Sequence, residues 1–172
     1  MIIQKYASSA CFSDDMKYRY WLIRQWDPDK RMAVFIMLNP STADAEKDDP
    51  TIRRCIGFAR EWGYGGIKVL NLFAFRTSDP KHLRKARDPI GKHNLCMIEG
   101  ATSPGNSENG IIIAAWGAID GHQDHIQEVI KIAIRGRPIH CIALTKHGCP
   151  AHPLYLPANL KPQIFAENGG GQ

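Results

Sequence analysis

The run Ala33-Val34-Phe35-Ile36-Met37-Leu38 passes directly into Asn39-Pro40-Ser41-Thr42-Ala43-Asp44. A continuous apolar stretch bounded by a turn signal suits a strand covered on both faces. Pro40 has no N–H to give a central ladder, so such a strand stops near Asn39. The event recurs along the chain. Residues 67–70 end at Asn71, residues 111–115 end at Trp116-Gly117, and residues 139–144 run into Thr145-Lys146-His147-Gly148, followed by His152-Pro153-Leu154-Tyr155. In an open parallel sheet these ends share one edge, and ligands bind outside the carboxyl ends of the strands. The pattern predicts that Asn39, Asn71, Trp116 and His152 converge.

Helical signals alternate with the strands. Asp49-Pro50-Thr51 pairs a capping residue with a first-turn proline, and Ile52, Cys55, Ile56, Ala59 and Trp62 recur at helical spacing until Gly63. A second helix is expected from Asp88-Pro89 to about residue 99, and a third over residues 123–134. Residues 73–88 read as a long irregular loop of the kind that serves binding. Residues 18–26 alternate as a half-exposed strand, and the turn Asp27-Pro28-Asp29-Lys30 suggests an antiparallel hairpin with the strand from Met32. Strands alternating with helices predict an α/β chain. The expected fold is a three-layer α/β/α sandwich, its mainly parallel central sheet holding four core strands plus an N-terminal antiparallel hairpin strand. At 172 residues, one domain over residues 1–167 is expected, with residues 168–172 as a flexible tail.

Five cysteines, widely spaced and with no CxxC, fit free thiols in a reducing compartment. Cys141, His147, Cys149 and His152 match no common zinc spacing, so neither metal nor cofactor is expected. No apolar run approaches the ~20 residues that span a bilayer, and residues 1–6 lack a signal-peptide layout. These features predict a cytoplasmic protein without membrane contact. The net charge of +5 is compatible with a phosphate-bearing partner. Lys81, His82, Arg84, Lys85, Arg87, Lys92 and His93 form a local basic cluster, which is either a solvated face or a nucleic-acid contact.

Asn39 can accept from a water and donate to a ligand at once, and Pro40, Ser41, Thr42 and Asp44 complete a polar loop around it. The same residues could simply stabilise a turn. Neither a Walker sequence nor GxGxxG is present. His152, stiffened by Pro150 and Pro153, could stabilise developing negative charge or be a polar loop residue. Asn71 must satisfy its amide at a buried strand end, by capping or by reading a base-like edge. Arg76 could meet a phosphate. Trp116 and Tyr155 could stack on a ring or pack in the protein.

Arg19-Tyr20, residues 37–44, Asp49-Pro50-Thr51-Ile52-Arg53, Trp62-Gly63-Tyr64, Asn71-Leu72-Phe73-Ala74, Ala115-Trp116-Gly117 and His152-Pro153-Leu154-Tyr155 resemble a bacterial family catalogued as a domain of unknown function. More distantly, the ordered set resembles the uracil-DNA glycosylase superfamily. Its members carry a Gly-x-Asn-Pro-Gly-type loop, an Asn-ended strand, a Trp-Gly-like strand end and a His-Pro-Ser loop. That resemblance implies that Asn39 orients an attacking water, Asn71 reads the base edge and His152 stabilises the departing base anion, with the base flipped from its stack. Met37 and Ser41 stand where the first loop has glycines, and Leu154 replaces the Ser after His-Pro. The expected function is therefore glycosylase-like hydrolysis of an N-glycosidic bond in nucleic acid or a nucleotide. The alternative is a non-catalytic module binding a nucleobase, nucleotide or DNA on the same fold.

Overall fold

A computed structural model describes residues 7–167. Their strands form one seven-stranded sheet of order β1-β2-β4-β3-β5-β6-β7, where β1 is Ala7–Phe12, β2 Arg19–Gln25, β3 Met32–Met37, β4 Gly66–Asn71, β5 Asn109–Ala114, β6 Ile139–Cys141 and β7 Gln163–Ala166. The neighbours β4, β3, β5 and β6 run parallel, as the four apolar runs predict. Antiparallel strands extend the sheet on both sides: β1 and β2 beyond β4, and β7 beyond β6. The chain is a mixed α/β fold.

The expected hairpin between residues 18–26 and the strand from Met32 does not form. β2 pairs with β1 and β4, so β4 lies between two strands joined by a short turn. The turn still forms, with the Trp26 and Asp27 N–H groups both donating to Gly65 O at 2.9 Å. Gly65 fits there because a Cβ would stand 2.1 Å from Asp27 O. Every residue of β3 is buried, consistent with a strand packed on both faces.

Helix α1, Pro50–Glu61, follows β3, and its Asp49 cap accepts from Ile52 N–H at 2.8 Å. Its buried stripe is Ile52, Cys55, Phe58 and Ala59. Phe58, rather than Ile56, completes the inward face. This stripe packs with Ala33, Phe35, Met37, Ile67, Val69 and Ile113. The alternate residues of the same strands, Val34, Ile36, Leu70, Ile112 and Ala114, pack in a second cluster with Ile98, Ala101, Ile126 and Val129. The latter come from α3, Asn94–Thr102, and α4, Gln123–Ala133. The two-residue side-chain period of a strand explains this division into two cores.

Three further boundaries differ from expectation. The fourth core strand, expected over residues 139–144, ends at Cys141. Residues 73–88 contain the short helix α2, Pro80–Lys85, with Asp79 accepting from Lys81 N–H at 2.8 Å. Asp88-Pro89 does not begin α3: Asp88 accepts from the Ile90 and Gly91 N–H groups, and the helix starts at Asn94. The expected tail at residues 168–172 and the N-terminal reading at residues 1–6 lie outside the described residues.

Asp49 should carry measurable capping energy. We expect Asp49→Ala to lower unfolding free energy by about 1 kcal/mol in urea titrations, whereas Asp49→Asn, an equally good cap, changes it far less. Equal losses in both variants would show that the carboxylate charge matters more than the cap.

Candidate functional site

The strand order creates the site. From β3 the chain passes through α1 to β4 on one side, then returns to β5 on the other. The carboxyl ends of β4, β3 and β5 therefore surround a topological switch point, where α/β sheets open a crevice. Beyond the last ladder pair, Met37 with Asn71, the chains stay in step. Leu72 N–H donates to Met37 O at 2.8 Å, Phe73 N–H to Leu38 O at 3.0 Å and Thr77 N–H to Pro40 O at 3.0 Å. A cleft of about 180 Å³ lies there. After β3 it is lined by Leu38, Asn39 and Ser41; β4 and its loop add Asn71, Thr77 and Ser78; Trp116 and His152 line it from the later strand ends. The convergence expected for Asn39, Asn71, Trp116 and His152 is present.

Asn39 is held by its amide. Nδ2 donates to Thr77 O at 2.7 Å and to Pro40 O at 3.1 Å. Both N–H groups are thus used on backbone carbonyls, and Oδ1 is the remaining acceptor. Asn71 is 1% exposed, and its Nδ2 has no hydrogen-bond partner. Its backbone carbonyl accepts from Asn94 Nδ2 at 2.9 Å, and the same amide nitrogen donates to Leu72 O at 3.0 Å. Asn94 fixes the end of β4 while the Asn71 side chain borders the cleft.

His152 precedes a 3-10 turn at Pro153–Tyr155, and its Nδ1 accepts from Leu154 N–H at 3.3 Å. A neutral imidazole accepting through Nδ1 carries its proton on Nε2. Burial holds the imidazole below its ordinary value of 6.5, with the Asp49 carboxylate opposing the shift. α1 anchors this loop: Arg54 Nη2 donates to Leu156 O, and Trp62 Nε1 donates to Leu160 O at 2.9 Å. Gly117, at φ +79°, lets the chain turn beneath His152, whose Cβ would lie 3.6 Å from a Cβ at position 117. Trp116 also packs edge-on against Phe165, with ring centroids 5.8 Å apart.

Other candidate residues have different surroundings. Pro40 is buried beside the cleft and is not part of its lining; Thr42 is exposed outside it. Asp44 Oδ1 accepts from the Glu46 and Lys47 N–H groups, which is turn chemistry. Arg76 lies 4.7 Å above the Phe12 ring and donates from Nη1 to Met16 O at 3.0 Å. Tyr155 is 87% exposed, at the outer end of the His-Pro loop. Met37 and Ser41, at the two positions where the resemblance expects glycine, both border the cleft.

Arg19 and Asp49 are the charged residues in the lining. Arg19 was hidden by strand alternation, which casts a charged residue as solvent-facing; its side chain is instead buried at 2% exposure. Because β2 is antiparallel to β4, its first residue lies where β4 ends, and Arg19 N–H donates to Ala74 O at 2.9 Å. Nη1 donates to Ala43 O at 2.8 Å. Burial pushes the guanidinium down to about 10, so it remains a cation at neutral pH. Asp49 and Thr51 enter the lining because α1 starts against the cleft. The sequence signal for Asp49 was its capping role.

The depressed His152 basicity has a stability consequence. Above 6.5 both folded and unfolded imidazoles are neutral. As pH falls below 6.5, the unfolded chain takes the proton first, and stability is lost until the folded group also titrates. His140 shifts in the same direction through burial. We expect the His152 ring to titrate below 6.5 by NMR, and His152→Asn to remove part of the acid-side loss. A midpoint at or above 6.5 would contradict a buried neutral imidazole.

No curated protein and no solved structure matches the chain. A family model described as protein of unknown function (DUF1643) matches residues 19–154, from the buried arginine of β2 to the His-Pro loop. The chain belongs to that family.

Proposed function

We propose that the cleft acts on a nucleobase-like group, and that the protein is a uracil-DNA-glycosylase-like hydrolase of an N-glycosidic bond. The observation that carries this reading is the complementary state of two neutral side chains. Asn39 presents an acceptor because its amide N–H groups are used on Thr77 O and Pro40 O. His152 presents Nε2–H because its Nδ1 accepts from Leu154 N–H. An acceptor suits orientation of an attacking water, and a fixed neutral donor suits charge developing on a departing base. The cleft volume of about 180 Å³ lies below the roughly 300–1,000 Å³ of drug-sized pockets, which favours one small ring over a whole nucleotide. In this reading the two-sided packing of the sheet is the three-layer sandwich of that superfamily.

Binding without turnover is the second reading. Lys81, Arg84, Lys85, Arg87 and Lys92 are all exposed. None is in an ion pair among the described residues. This basic surface begins beside Thr77 and Ser78 of the cleft and could track a phosphate backbone.

The decisive experiment is base release from labelled single- and double-stranded DNA containing uracil, mismatched thymine and damaged bases. Wild type should release a base, and Asn39→Ala and His152→Asn should each reduce release by about 100-fold or more while remaining folded. Release unchanged in both variants would remove the assigned roles. DNA binding should also weaken with salt, and Lys81→Glu combined with Arg84→Glu and Lys85→Glu should weaken it further and flatten the salt dependence. Saturable binding without product would establish the second reading.

A further inference from the structure

Arg19 has one edge of its guanidinium without a partner. Nη1 is used on Ala43 O, Nε is buried without a hydrogen bond, and Nη2 bonds no group among the described residues. No carboxylate lies within ion-pair distance of it among those residues. The Nε–H and one Nη2–H project in parallel, the fork that matches two oxygens of a carboxylate or phosphate. Such a cation is costly to bury unless something pairs with it, and this one borders the cleft. A second donor points to the same chemistry: Asn71 Nδ2 is buried and unpartnered in the same lining. Thr51 and Ile52 bring the positive end of the α1 dipole to that lining. Asp49 is the opposing charge, with Oδ1 engaged on Ile52 N–H.

We propose that the cleft is an oxyanion site in which Arg19 grips a phosphoryl or carboxylate group through Nε and Nη2, with Asn71 Nδ2 as an additional donor. The cleft admits one small group, so the anion takes the place of a base ring there, either as a free oxyanion or as the terminal group of a larger ligand. This site goes beyond base release and does not depend on it. Its test measures binding, so the two readings can fail separately.

The test is calorimetric titration of the full chain with inorganic phosphate and with acetate at constant ionic strength, using chloride as the control. Wild type should bind at least one of the two oxyanions saturably at a single site. Arg19→Met should weaken that binding by at least ~10-fold, and Arg19→Lys, which keeps charge without the fork, should weaken it less. Asp49→Asn keeps the helix cap and removes the opposing charge, so it should bind the anion more tightly than wild type, a gain that a purely structural carboxylate would not give. A preference for phosphate assigns a phosphoryl ligand, and a preference for acetate assigns a carboxylate. Titration with a deoxynucleoside monophosphate and a DNA oligomer then separates a terminal phosphate from a phosphodiester. The proposal is overturned if wild type binds neither oxyanion, if folded Arg19→Met binds as tightly as wild type, or if Asp49→Asn binds no more tightly. Should Arg19→Met fail to fold, the Asp49→Asn comparison decides alone.

Discussion

The parallel pairing of β3 with β4, in register from Met32 opposite Gly66 to Met37 opposite Asn71, is the constraint on which the site depends. A slip of one residue would exchange the two apolar faces, moving Phe35 and Val69 away from α1 and Ile36 and Leu70 away from α3 and α4. Both faces are buried, so the penalty applies on both sides of the sheet. The same register sets the loop-to-loop hydrogen bonds that hold Asn39 above Thr77. Core packing and cleft geometry are therefore consequences of one alignment.

Helix α1 links that alignment to the electrostatics of the cleft. Its stripe packs on the sheet, its first turn contributes Asp49 and Thr51, and Arg54 and Trp62 hold the backbone after the His-Pro turn. A shift of this helix would move the carboxylate, the helix dipole and the imidazole support together. The polar groups facing the cleft are thereby set by packing several residues away, the arrangement expected where a site needs fixed dipoles. Cys55, within the same stripe, is fully buried and its thiol is pushed up by desolvation, so it serves packing rather than thiolate chemistry.

The four parallel strands were legible because each is an apolar run cut off by a polar turn, and the site residues at those ends followed from the topology. The partners of the antiparallel strands were not legible. Asp27-Pro28-Asp29-Lys30 signals a tight turn, but a turn does not specify that Gly66–Asn71 will insert between the strands it joins. β1 and β7 are edge strands with no buried residue; each pairs with the strand next to it in sequence, and neither Ala7–Phe12 nor Gln163–Ala166 carries a continuous apolar run to announce it. Arg19 was missed for another reason. Alternation reports which face a residue occupies, whereas the solvent exclusion around Arg19 depends on Ala43 and Ala74 reaching it from other loops. Asp88-Pro89 looked like a helix start because Asp caps turns and helices by the same hydrogen bond.

The insertion of β4 between β2 and β3 also bears on how the chain assembles during synthesis. β2 and β3 leave the ribosome before β4; β2 can pair with β1 at once, but β2 and β3 gain their shared neighbour only when β4 joins them. The cleft takes residues from Arg19 through His152, so it requires long-range loop closure across most of the described chain, a slow step relative to local helix formation. A nascent chain halted before the His-Pro turn could hold a partial sheet but not a complete cleft. The site is thus assembled late, and a destabilised variant can lose it while much of the local secondary structure persists.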